Sequence, residues 1–238
     1  METFLKYKNQ DLDFIYSELL NEFKEDSLLV SHRRHIQENN LGYGEDPFHV
    51  VWREVVKNQS NSFNFLEIGV YKGQVLSLIK LLSREYNKNV DILGVSPLDG
   101  LGDKYSKYDK VDYKGTIENL FKHFNLEFDF SKEFIQGNSI DESIKIQIKN
   151  RGIFDVVYID GCHDYECVIS DIVLMKDITK VGSIIIMDDA SCDKKIERVG
   201  AHKGHPDVCR AISEQIESSD QFEEIICVGH NRVFRRIK

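Results

Sequence analysis

From Phe63 onward, short β-type runs alternate with longer stretches of helical periodicity, and nothing else in the 238-residue chain restricts its fold so tightly. The runs are FNFLEIG, DILGVS, EFIQG, FDVVYID, SIIIMDD, FEEIICVG and RVFRRI. Between them, GQVLSLIKLLSREY sets Val75, Leu78, Ile79 and Leu82 on one stripe, and YECVISDIVLMK does the same with Val168, Ile169, Ile172 and Val173. Alternation of this kind predicts an α/β fold, a doubly wound, seven-stranded and mostly parallel sheet with helices on both faces. Such sheets bind ligands in the crevice beyond the carboxyl ends of their strands, so chemistry is sought where each run stops.

The first 62 residues lack this alternation. LDFIYSELLNEF spaces Leu12, Ile15, Leu19 and Phe23 helically, and DPFHVVWREVV offers Asp46 as N-cap and Pro47 as first helical residue, with Phe48, Val51, Trp52 and Val55 on one face. The expected organisation is a helical N-terminal extension or cap over 1–62 and one large α/β domain over 63–238. Formal charge is −9, with 31 Lys and Arg against 40 Asp and Glu, which argues against a nucleic-acid partner. The basic ending RVFRRIK reads as the solvated face of a last strand. Neither an apolar run of membrane-spanning length nor a secretory leader is present, so the expectation is a soluble, cytoplasmic protein without membrane insertion, with a homo-oligomer possible. Five cysteines without paired spacing point to reduced thiols rather than a disulfide frame or zinc site.

The first run ends in LEIGVYKGQVL, an acid followed by Gly69 and Gly73 as the chain turns into a helix. Glycines allow a ligand close to the backbone, and a helix N-terminus offers free N–H donors. The spacing E-x-G-x-x-x-G is not the G-x-G-x-x-G of a dinucleotide cradle.

FLEIGVYKG resembles the first motif of class I S-adenosylmethionine-dependent methyltransferases, whose fold is Rossmann-like. FDVVYIDGCHDYECVISDI, followed by KVGSIIIMDDAS, resembles the fourth and fifth strands of their small-molecule O-methyltransferase branch. The resemblance runs in order from 63 to 190. It implies S-adenosylmethionine as cofactor, with Glu67, Gly69, Tyr71 and Gly73 against its methionine part. An acid usually grips the ribose at the end of the second strand; Ser96 stands there instead, so the ribose falls to Ser96 or to Asp99. QGNS resembles the place where the adenine is read, which nominates Asn138 and Ser139, and Asp160 also borders the cofactor.

Asp160 ends one central run and Asp188 with Asp189 ends its neighbour, so three carboxylates are expected to converge. Like charges crowded together call for a hard divalent cation, and oxygen ligands suit Mg²⁺. His163, three residues past Asp160, is then the candidate general base, because an aliphatic hydroxyl does not lose its proton unaided. This D-x-x-H element resembles that of metal-dependent methyltransferases acting on macrolide sugars. The expected function is Mg²⁺-assisted O-methylation of a sugar hydroxyl, on a glycan, capsule unit or glycosylated metabolite.

Two long connections are candidate lids over the crevice. One carries Tyr105, Tyr108 and Tyr113, suited to stacking on a sugar; the other carries Lys203 and Arg198, suited to a phosphate or carboxylate. His202 and His205, in the second, read as ordinary loop residues, and Tyr43 and His49 mark a segment suited to folding over the cofactor. Three other readings stay open: a catechol-type enzyme methylating a phenol, a nucleotide-dependent oxidoreductase or epimerase, and a non-catalytic module that binds cofactor.

Overall fold

All seven runs form strands in the computed structural model, which describes residues 2–108 and 110–238. A 3-10 helix over Glu2–Tyr7 precedes α1 (Leu12–Glu25), α2 (Ser27–Glu38) and α3 (Phe48–Lys57). Then come β1 (Ser62–Ile68), α4 (Gln74–Glu85), β2 (Asn89–Ser96), α5 (Tyr113–His123), the single-turn α6 (Phe130–Glu133) and β3 (Phe134–Gln136). The second half contains α7 (Glu142–Lys149), β4 (Phe154–Ile159), α8 (Tyr165–Asp177), β5 (Thr179–Met187), α9 (Pro206–Ile212), β6 (Phe222–Val228) and β7 (Asn231–Arg236). Side-chain caps start the first two helices: Asp11 accepts from the N–H groups of Asp13 and Phe14, and Asp26 from those of Leu28 and Leu29.

The strand order is β3-β2-β1-β4-β5-β7-β6. β1 pairs in parallel with both β2 and β4, so the winding reverses between β1 and β4. Among the described residues, β7 alone runs antiparallel, to β5 and β6. The carboxyl ends of β1 and β4 therefore flank the switch point, where open sheets hold ligands.

Side chains alternate across each strand. Phe63 and Phe65 of β1, Val156 and Tyr158 of β4, and Ile184 and Ile186 of β5 join one core cluster with α1, α3, α4 and α5. Leu66 and Ile68, Val157 and Ile159, and Ile185 and Met187 join the other, under α7, α8 and α9. The N-terminal helices share the first cluster with the sheet: Ile15, Leu19, Phe23, Val51, Trp52 and Val55 are all buried in it. Burying each side chain of this kind is worth about 1.5–3 kcal/mol.

Four expectations need correction. α3 begins at Phe48, and the Asp46 carboxylate does not cap it but accepts from Arg33 at 3.0 Å. On α8 the buried stripe is Val168, Asp171, Ile172 and Met175, and Val173 faces solvent. Arg232 is not on a solvated face: it is wholly buried, held by Glu224 and Glu217. Arg198 is already paired, with Asp13 at 2.9 Å and Glu45 at 3.3 Å, its guanidinium stacked on Tyr16. It fastens the loop after β5 to the N-terminal helices instead of waiting for an anion.

Candidate active site

Period-two alternation explains how the acids meet. Glu67 of β1 lies level with Tyr158 of β4, and β4 in turn is aligned with β5 so that Tyr158 lies level with Ile186. All three share one face, and Asp160 and Asp188 follow two residues on, each just past its strand. Asp189 takes the left-handed region, φ 52°, which turns the chain at this point. Tyr158 donates its hydroxyl proton to Asp160 Oδ2 at 3.0 Å.

Two cavities open here. The first, about 340 Å³, is lined by Gly69, Tyr71, Ser96, Asp99, Asn138 and Ser139 among others. The second, about 500 Å³, is lined by Glu67, Trp52, His163, Asp188, Asp189 and His230 among others. Both volumes suit a small-molecule ligand. Gly69, Tyr71, Tyr108 and Asp160 border both, so the two cavities meet at the switch point. Gly69 has φ 99°, and a Cβ there would overlap the Asp160 carbonyl oxygen, so nothing larger fits between β1 and β4.

Not every candidate residue reaches a cavity. Gly73 is the N-cap of α4 and packs against Ile117, outside the lining of both cavities. Lys203 also lies outside both linings; its carbonyl accepts from Ser191 N–H. Tyr113 is buried at the start of α5 and faces the first cavity, whereas Tyr105 faces the second and stacks on His205 at 4.5 Å. Tyr43 lies over Tyr71, with ring centroids 5.7 Å apart, and it and His49 line the second cavity.

Charge is concentrated at the tips of β4 and β5. Burial pushes Asp160 well above the usual carboxylate range, and Asp188, Asp189 and Glu67 push it further. Burial likewise carries Glu67 to about 8, and its Oε2 meets no donor among the described residues. Burial opposes ionisation of Asp189 too, yet a hydrogen bond from His163 and the nearby charge of His230 hold it well below its ordinary value.

Histidines surround that carboxylate. His163, 94% buried by its 6% exposure, places Nε2 3.1 Å from Asp189 and Nδ1 2.7 Å from Asp103. His202 and His205 are not ordinary loop residues: their Nε2 atoms lie 2.7 and 3.2 Å from Asp189. His230 places Nε2 3.3 Å from Asp188 and Nδ1 3.5 Å from Glu45. Burial disfavours the charged ring of both His163 and His230, but the flanking carboxylates outweigh it and raise both.

Sequence reasoning missed Asp103, Glu45 and His230. Asp103 and Glu45 reach the site from irregular segments that no periodicity locates. His230 had a signal: GH between two β runs is a two-residue hairpin turn, and a β7 lying antiparallel beside β5 puts that turn next to Asp188.

A family model described as "Methyltransferase domain" matches residues 66–190, more than half of the chain, and the chain belongs to that family. The matched span runs from the end of β1 through β5 and includes Glu67, Asp160, Asp188 and Asp189. An uncharacterized protein of Acanthamoeba polyphaga mimivirus, R132, is 29% identical over 178 residues, 69% of this chain and 70% of its own. Three solved structures share the fold. The O-methyltransferase from Bacillus cereus in complex with S-adenosylhomocysteine has a TM-score of 0.58 at 16% identity, covering 90% of this chain and 92% of that one. TomG from Streptomyces achromogenes, an O-methyltransferase of tomaymycin synthesis in complex with S-adenosylmethionine, has 0.57 at 11%, covering 90% and 91%. CalS11, a TDP-rhamnose 3'-O-methyltransferase of calicheamicin biosynthesis, has 0.54 at 13%, covering 94% and 93%. Among the described residues no helix is long and apolar enough to cross a membrane.

Proposed function

We propose that the protein transfers the methyl group of S-adenosylmethionine to a hydroxyl of a sugar-bearing small molecule or glycan. The observation that carries this reading is the pair of cavities meeting at Gly69 and Asp160, one lined by apolar side chains such as Val70, Leu98 and Ile140 with a few polar groups, the other by acids, histidines and tyrosines. The first suits the donor: Ser96 and Asp99 face where a ribose would lie, Asn138 and Ser139 where an adenine would. The second suits the acceptor, with Tyr71, Tyr105 and Tyr108 as surfaces for a sugar ring. CalS11, whose acceptor is a nucleotide-linked rhamnose, supports the sugar.

The donor set also fits a divalent cation. Asp160, Asp188 and Asp189 would hold it, since positive charge would offset both the burial and the carboxylate repulsion that push Asp160 up. A bound cation makes a hydroxyl on it more acidic. His163 would take the hydroxyl proton at Nε2, the nitrogen that faces Asp189 at 3.1 Å and that a cation on this carboxylate would release, while Asp103 holds the ring through Nδ1 and the backbone N–H of His163, the latter at 2.8 Å. As the oxygen attacks, the new C–O bond forms while the S–CH₃ bond breaks, and that electron pair remains on sulfur as S-adenosylhomocysteine. Trp52 and the tyrosines of the second cavity would help to align donor and acceptor.

The test is a panel of sugar, nucleotide-sugar and catechol acceptors with labelled S-adenosylmethionine, run on wild type and His163→Ala. A sugar acceptor is expected, with kcat lowered roughly 10²- to 10⁴-fold in the variant and donor affinity little changed. Turnover confined to catechols would refute the sugar, and full activity in His163→Ala would refute the base.

A further inference from the structure

We propose that His230 is a metal ligand, which makes the cation centre a mixed imidazole–carboxylate site for a first-row transition ion rather than an all-oxygen site for Mg²⁺. The premise is that the carboxylates hold a cation, as proposed above. One ligand atom each from Asp188, Asp189 and His230 lies within 4.8 Å of the others. Ligands about 2.1 Å from one ion are separated by about 3–4 Å, so the 3.3 Å between His230 Nε2 and Asp188 Oδ1 is a spacing that one shared ion produces.

The surroundings of His230 are those of a ligand rather than of a surface imidazole. It is 8% exposed, at the turn joining β6 and β7. Its backbone is fixed at both ends: its carbonyl accepts from Ala190 N–H at 2.7 Å, and its N–H donates to Glu45 Oε2 at 3.2 Å. Glu45 also stands behind Nδ1, at 3.5 Å, leaving Nε2 aimed at Asp188. In metal-bound histidines a carboxylate commonly stands behind the far nitrogen; here Glu45 occupies that side of the ring, while Nδ1 itself makes no hydrogen bond among the described residues. A Cβ at Gly229 would overlap the Glu45 carboxylate, so that approach depends on glycine. Independently, the buried Glu67 Oε2, in the wall of the same cavity, lacks a partner among the described residues.

A second grouping, His163, Asp189 and His205, also meets the spacing. It brings a single carboxylate, and His163 is already engaged by Asp103 and by the acceptor proton. Imidazole in the ligand set favours Mn²⁺, Fe²⁺, Co²⁺ or Zn²⁺ over Mg²⁺, which prefers oxygen and water.

The experiment uses the full chain stripped of metal, with no acceptor or donor. Co²⁺ and Mg²⁺ are titrated by calorimetry, and Mn²⁺-loaded protein is examined by pulsed EPR for coupling to ¹⁴N. One Co²⁺ per chain is expected to bind more tightly than Mg²⁺, with a nitrogen coupling that disappears in His230→Gln and persists in His205→Gln. Glu45→Gln is expected to weaken Co²⁺ roughly 10–100-fold. Wild-type EPR does not depend on any variant folding, and Mn²⁺ bound without nitrogen coupling would overturn the inference while leaving the methyltransferase reading intact. Coupling that survives in His230→Gln would overturn it equally. No binding of any of the three ions would overturn it together with the cation in the proposed mechanism.

Discussion

Asp160 and Gly69 share one peptide's width of space, and that contact governs the site. Gly69 accepts the left-handed φ that β1 needs to leave the sheet, and the missing side chain lets the Asp160 backbone pass behind it. Gly69→Ala forces both strain and overlap, so a stability loss of roughly 1–3 kcal/mol is expected, together with loss of S-adenosylhomocysteine binding. Thermal unfolding and calorimetry measure the two separately, and an alanine variant with wild-type values for both would contradict the role given to this residue. This glycine was readable in the sequence because LEIG follows a β run, whereas Gly73 had the same appearance and lies outside the cavities. Chain direction separates them: Gly69 stands at the strand tip, Gly73 one turn further on, where the helix packs on Ile117.

Elements were more readable than the segments between them. Strands and helices follow from apolar periodicity, which is local, so all seven strands could be anticipated. Asp103 could not, because its loop binds His163 through groups 60 residues away in sequence. Buried Arg232 misled for a related reason: basic residues at a chain end look solvated until Glu217 and Glu224 are brought beside them by folding. The loop after β5 is held by Arg198 to α1 and to the segment carrying Glu45, and Glu197 N–H also donates to Asp13. Arg198 is half-buried, and such ion pairs contribute little, so Arg198→Ala should change global stability by no more than about 1 kcal/mol. Amide exchange across residues 192–204 should nevertheless accelerate, since the anchor is local. Unchanged exchange in that segment would show that other contacts hold the loop.

Over the whole molecule, one buried acid beneath the first cavity sets a pH dependence of folding. Asp171, on the inner face of α8, is 1% exposed, and neither oxygen meets a well-placed donor among the described residues. Burial raises it to about 7, partly offset by the Ser139 hydroxyl and the Lys145 charge. The folded state thus keeps a proton that the unfolded chain releases near its ordinary value of 3.8. Stability from this group is complete below that value, falls as pH rises towards about 7, and stays lost above it. The difference is about 4 kcal/mol at most. Urea unfolding should therefore show Asp171→Asn gaining on wild type at pH 8 relative to pH 5, and parallel pH profiles would refute it.

The cavity beyond the carboxyl ends of β1, β2 and β3 is proposed to hold S-adenosylmethionine. Calorimetric titration of S-adenosylhomocysteine into wild type and into Gly69→Ala tests it most directly, with NAD as the competing ligand. The expected result is micromolar binding of one molecule per chain, about 8 kcal/mol of affinity, with no heat from NAD and none from the variant. No binding of S-adenosylhomocysteine by folded wild type, or tight binding of NAD in its place, would contradict it.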